Sequence, residues 1–163
     1  MSERLLPVLA FLSALGAGLT TGTWFAFSVF VMAGLARIPA AQGIAAMQSI
    51  NITVINPLFM AAFLGTGILS IAVATMAFLN WGQGGWLLLI AAAVLYLFGV
   101  LGVTMAFNVP LNDALAAVEP ASTEGAQLWS RYLSVWLAWN HVRAVAGLVS
   151  FAAFVLAVRL SWC

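Results

Sequence analysis

The chain has no lysine, one histidine and one cysteine, and only 6% of its 163 residues are charged. Five arginines against four carboxylates leave a net charge of +1, too little for a nucleic-acid footprint or a polybasic lipid-binding patch. The lone thiol, Cys163, forms neither an intrachain disulfide nor a multi-thiolate metal site, and it leaves the redox compartment open. One histidine, His141, cannot furnish a bis-histidine haem or a three-histidine copper centre, and no glycine-rich phosphate loop follows a strand. What is abundant is apolar surface: 65% of the residues are hydrophobic, which a soluble domain of this size could not hide. Lipid is therefore the expected solvent, and a multi-pass integral membrane protein is the expectation.

A hydrocarbon core about 30 Å thick takes roughly 20 helical residues, so four spans and their connections use nearly all of a single domain covering residues 1–163. The expectation is an all-α membrane four-helix bundle with spans at about 5–35, 54–79, 86–107 and 132–158. Ala14, Gly16, Ala17 and Gly18 resemble a signal-peptide cleavage region, but the apolar run continues through Trp24, Phe25, Phe27 and Phe30 to Leu35, which favours a retained first span. Within it Ala10, Ala14, Gly18, Gly22 and Ala26 form a stripe of small residues, predicting a tight contact with a neighbouring span or, in a homo-oligomer, with another subunit.

After span one, Pro39 suits the first position of a short interfacial helix rich in good helix formers. Spans two and three are joined by a glycine-rich turn, Asn80 to Gly85, flanked by Trp81 and Trp86 as interfacial anchors. Pro110 predicts the end of span three, because proline disfavours helix at the preceding residue. Four spans place both ends of the chain on one side. Arg4 and Arg159 mark that side and Arg37, Arg131 and Arg143 the other, so charge alone orients the chain poorly. Setting Arg131 and Arg143 aside as interior residues puts the termini in the cytoplasm and the acidic connection with Asp113, Glu119 and Glu124 outside.

Span four carries the most unusual pattern. Steps of 100° put Trp129, Tyr132, Trp136, Asn140, Arg143 and Gly147 in one narrow arc. An arginine in hydrocarbon costs about 2.5 to 3.5 kcal/mol, so Arg143 should face the bundle interior, water or the interface, and an intramembrane charge points to function. Snorkelling to the interface beside belt tryptophans is the structural alternative. His141 points roughly 140° away from the arc, toward a different neighbour, and as the only side chain titrating near neutrality it is the natural proton-transfer candidate, or else a packing residue. Asn108 and Asn112 flank Pro110 with Thr104 one turn below Asn108, offering two amides or simple helix capping. Gln48, Asn51 and Asn56 lie on the same membrane side, and Thr21, Trp24 and Ser28 form a weaker stripe in span one; packing and helix-to-helix hydrogen bonds are the reading for both sets by residue type.

Met47-Gln48-Ser49-Ile50-Asn51, Asn108-Val109-Pro110-Leu111-Asn112, and Trp129-Ser-Arg-Tyr132 through Trp136-Leu-Ala-Trp139-Asn140-His141-Val142-Arg143 together resemble the anthrone oxygenase family, formerly DUF1772, over nearly the whole chain. The last block is the most specific. The resemblance implies a small four-helix membrane oxidoreductase; some members oxidise an anthrone to an anthraquinone with O₂ as co-substrate. Because an anthrone carbanion passes an electron to O₂ directly, no bound cofactor or metal is required. Such chemistry needs a base, a cation or amide for the developing phenolate, and aromatic walls for a planar apolar substrate. By residue type His141, Arg143 and Asn140 fit the catalytic roles, and Asn108, Asn112, Trp129, Tyr132, Trp136, Asn51 and Gln48 the substrate contacts.

Two other readings stand beside this one: a non-enzymatic binding or accessory protein in which Arg143 and Asn140 hold a partner or an anionic ligand, and a metal-dependent oxidoreductase in which His141 and oxygen donors, or a partner, hold the metal. Spans two and three carry little polar stripe toward the terminal side, which favours a one-sided pocket over a conduit.

Overall fold

A computed structural model describes residues 2–82 and 84–161, with the side chains of residues 2–4 and 161 outside the description. Cys163, Gln83 of the glycine-rich turn and the side chain of Arg4 thus lie outside the described residues. The described chain is all-helical: α1 (Leu5–Leu35), α2 (Ala40–Thr53), α3 (Pro57–Leu79), α4 (Trp86–Ala116) and α5 (Thr123–Leu160), of which all but α2 are long and apolar enough to cross a membrane. Large apolar side chains such as Leu19, Ile68, Phe98 and Val145 are exposed around the outside, as lipid-facing surface requires. The protein is a multi-pass membrane four-helix bundle.

Local chemistry sets the boundaries. Pro39 is the extended residue before Ala40, one position earlier than expected, and leaves α2 to start on alanine. Asn56 caps α3, its Oδ1 accepting from the Phe59 N–H at 3.0 Å, with Pro57 in the first turn where its missing N–H is harmless. Gly82 and Gly85 adopt φ of 86° and 80°, a left-handed backbone that glycine tolerates best, so the chain reverses tightly and brings the Trp81 and Trp86 rings to 4.0 Å.

Pro110 does not end α4. The helix widens into π turns at Leu95–Gly102 and Thr104–Asn108 and resumes with Pro110 in the first turn of its last α-helical stretch, so the proline sits where an N–H is not needed. The helix α5 starts nine residues before the expected 132, because Ser122 caps it through the Gly125 N–H at 2.9 Å. At 31 and 38 residues, α4 and α5 are about 46 and 57 Å long and overrun the hydrocarbon thickness. Their excess, with α2 and the end of α1, forms a cap on the side opposite the termini, cored by Met32, Ile44, Met47, Leu115 and Tyr132.

In the bundle α1 packs on α3 and α5, and α4 packs on the same two helices. The buried line of α1 is Ala10, Ala14, Ala17, Thr21 and Trp24, not the five-member small stripe: Gly22 is exposed. A repeat of four residues gains about 40° per step, so a stripe four steps long rotates off the contact face, whereas alternating steps of three and four stay on it. The close approaches of α1 lie at positions outside that stripe. A side chain on Gly147 of α5 would collide with Thr21 of α1, and one on Gly16 with Thr66 of α3.

Candidate active site

One face of α5 is aromatic and polar from the cap into the bundle. Trp129 stacks on Tyr132 (centroids 5.6 Å apart), Tyr132 on Trp136 (5.2 Å), and the far side of this ladder carries Arg143, whose guanidinium lies 5.2 Å from the Trp136 ring. All four, with Asn140, are buried. Arg143 stands 17 residues before Leu160, about 26 Å along the helix, which places it near the far boundary of the hydrocarbon core.

Arg143 is 2% exposed, and it does not snorkel. Its Nη1 donates to Thr104 Oγ1 of α4 at 3.2 Å and its Nη2 to Asn140 Oδ1 at 2.7 Å. Its guanidinium lies 4.1 Å from the Trp24 ring of α1, so two indoles flank the cation. Its Nε has no hydrogen-bond partner. No carboxylate among the described residues pairs with it; Asp113, Glu119 and Glu124 are exposed in the cap. A cation buried with only neutral partners is costly in a fold selected for stability alone, and here hydroxyl, amide and π faces solvate it while leaving it electrostatically open to an anion.

Asn140 uses both ends of its amide. Its Oδ1 receives Arg143, and its Nδ2 donates to the Trp24 carbonyl and to Ser28 Oγ, both at 2.8 Å. Ser28 lies in a π turn, Phe27–Val31, and the neighbouring site residues Thr104 and Asn108 of α4 and Tyr132 and Trp136 of α5 lie in π turns of their own. Wide turns on three helices thus re-aim side chains at one level of the bundle.

The remaining polar residues separate into two groups. Asn108, fully buried, donates to the Trp136 carbonyl at 3.1 Å and keeps an unpartnered Oδ1. Asn112 Oδ1 accepts from Tyr132 Oη and Trp136 Nε1, both at 2.7 Å, locking the ladder; Asn51, beside the Tyr132 hydroxyl, has an unpartnered Nδ2. Gln48 spends both amide hydrogens on the carbonyls of Leu115 and Val118, at 2.8 and 3.1 Å, tying α2 to the end of α4, so it does not join Arg143.

His141 is the clearest departure from the expected constellation. It is exposed on the outer surface of α5, because two residues along a helix is about 200° of rotation from Arg143, and no distortion of α5 over 137–161 turns it back. The structure therefore places it apart from the Arg143 group. Conversely Trp24, Ser28 and Thr104 belong to the site without having been singled out for it. Their signal was present, as a Thr21, Trp24, Ser28 stripe and a threonine one turn below Asn108, but nothing in the sequence says which span those stripes face. Among the described residues no three of His, Cys, Asp and Glu come together as metal ligands.

The fold and site define a membrane-embedded helical bundle that buries an arginine against aromatic rings, with no carboxylate partner among the described residues. Residues 58–153 match the anthrone oxygenase family, and since that is more than half of the chain, the protein belongs to it. No curated protein and no solved structure is significantly similar to the chain.

Proposed function

We propose that the protein oxidises a planar aromatic substrate of anthrone type with O₂, and that Arg143 stabilises the substrate's anion. The observation that carries this reading is the buried guanidinium without a carboxylate, its Nε–H unpartnered, held between the Trp24 and Trp136 rings. An apolar tricyclic ketone becomes reactive toward O₂ when it loses a proton from the methylene carbon opposite its carbonyl, since the charge then resides on the carbonyl oxygen as a phenolate. A preorganised cation in a medium of low dielectric favours that anion far more than water does, and it also stabilises the reduced oxygen species formed next.

The balance closes without a further reductant. The carbanion gives one electron to O₂, the two radicals combine into a carbon-bound peroxide, and loss of the second methylene hydrogen with O–O cleavage leaves a new carbonyl. One oxygen atom ends in the quinone and the other in water. With His141 outside the site, the first proton passes to water, and the site contributes by binding the anion, excluding bulk solvent and orienting the ring against Trp136. Asn140 and Thr104 fix the guanidinium.

Aerobic oxygen uptake by the purified, metal-analysed protein with unsubstituted anthrone tests this. Uptake above the autoxidation rate, lost in Arg143→Met, is the expected result. Uptake no faster than autoxidation, together with tight binding of a non-oxidisable anionic dye, would move the protein to the class of membrane binding proteins. Uptake that tracks metal content would make it a metal-dependent oxidoreductase.

A further inference from the structure

The Trp24 indole N–H is a second unpartnered donor at the same place. Trp24 is 7% exposed, its Nε1 is buried, and it has no hydrogen-bond partner among the described residues, although a buried tryptophan ordinarily finds one. Its position is over-determined. Phe59 and Phe63 of α3 meet its ring edge-on at 5.8 and 5.9 Å, Arg143 lies 4.1 Å from its centroid, and Asn140 binds its backbone carbonyl. A ring clamped from two neighbouring helices with its one polar atom left unpartnered is built for something other than packing, which a phenylalanine would serve as well.

Resting on the reading of Arg143 as the anion-binding residue, we infer that Trp24 Nε1–H and Arg143 Nε–H form a paired-donor site for one oxyanion of the substrate. Within a single guanidinium–indole contact, two N–H groups lack acceptors, and both belong to donors that hydrogen-bond an anionic oxygen. Among the described residues, Thr21 Oγ1 on the same helix as Trp24 and Asn108 Oδ1 are also left unpartnered, and neither is hydrogen-bonded to either donor. The chemical class that satisfies two such donors is an aromatic enolate or phenolate, whose oxygen carries charge and offers more than one lone pair. A neutral aromatic hydrocarbon would leave both donors unmet. The neutral N–H adds a directional bond that the charge alone lacks, so it discriminates the planar oxyanion from other anions.

The probe is 1,8-dihydroxyanthraquinone, which O₂ does not oxidise and whose phenolate absorbs at longer wavelength than the phenol. Bound to the unsubstituted protein it should ionise at lower pH than in detergent alone. Trp24→Phe keeps the ring and its cation–π face and deletes only the N–H; it should weaken binding of the phenolate about ten- to a hundredfold while binding of anthracene, which has no oxygen, stays unchanged. Equal loss for both probes would make Trp24 a packing residue and overturn the inference, as would no loss for either. A measurement on the unsubstituted protein does not depend on that variant folding: with indole nitrogens labelled, one of the seven indole N–H resonances that begins without a hydrogen bond must move downfield on adding the probe. If none moves, the inference fails. Loss of phenolate binding in Arg143→Met with none in Trp24→Phe would overturn the paired site and leave the role of Arg143 standing, whereas the same ionisation in the unsubstituted protein and in detergent would remove both.

Discussion

Asn140 of α5 and Trp24 of α1 are 116 residues apart in sequence, yet the Asn140 amide donates to the Trp24 carbonyl at 2.8 Å while its oxygen holds the Arg143 guanidinium. One side chain therefore couples the position of the first span to the orientation of the cation. The coupling runs through a neutral amide and not through a carboxylate.

That arrangement sets stability against activity. In Arg143→Met a linear apolar chain replaces a buried cation that has no counter-ion among the described residues, so thermal unfolding in detergent should occur at an unchanged or higher temperature. Oxygen uptake should fall by about 10² to 10³ in kcat/KM, the scale of losing a principal anion-stabilising group. A parallel fall in both would show that the arginine is structural.

His141→Ala should retain oxygen uptake within about twofold, because the imidazole is exposed on the far side of α5. The pH profile of the variant should superimpose on that of the parent. Loss of a titrating limb would restore the histidine to the proton path.

Glycines test the packing. A Cβ on Gly43 would lie 2.9 Å from the Trp129 ring and 3.1 Å from the Leu35 carbonyl oxygen, so Gly43→Ala should destabilise by about 1 to 3 kcal/mol and loosen α2 from the cap. Gly22→Ala meets nothing within 4 Å and should be neutral or slightly stabilising. Unfolding of both variants in one detergent decides the comparison.

Gln48→Leu removes two hydrogen bonds between α2 and the end of α4. The expected cost is about 1 to 3 kcal/mol, read as faster amide exchange confined to α2 with the four spans unaffected. Exchange that rises equally in α4 would show α2 and the bundle to be one cooperative unit.

Tyr132→Phe leaves Asn112 Oδ1 still bonded to Trp136 Nε1 and keeps the stacked ladder, so its effect on stability should be within about 0.5 to 1.5 kcal/mol. Trp136→Leu, which removes the ladder's contact with Arg143, should lower oxygen uptake far more than Tyr132→Phe does. Equal effects would place substrate along the whole ladder.

How far the sequence could be read follows from what is local. Asn56, Ser122 and the glycines of the Asn80 to Gly85 turn act on their own backbones; the glycine turn was read from residue order, whereas Asn56 was expected to pack between helices and caps α3 instead, and the Ser122 cap was not anticipated. Pro110 misled because its usual effect presumes an α-helical turn before it; the π turn at Thr104–Asn108, which no local rule foretells, let the helix continue. The small-residue stripe of α1 was real as composition but rotated off the contact face.

By itself the sequence determined the solvent, the four spans, the family resemblance and the aromatic and polar arc of α5, because hydrophobicity and a fixed angle per residue are properties of one segment. Only the tertiary structure decided that Trp24, Ser28 and Thr104 complete the surroundings of Arg143, that Gln48 serves the cap, and that His141 stands outside. Those assignments depend on which faces of separate helices meet, and in lipid that choice rests on close packing of small residues and on satisfying buried polar groups across helices, neither of which is encoded within any single span.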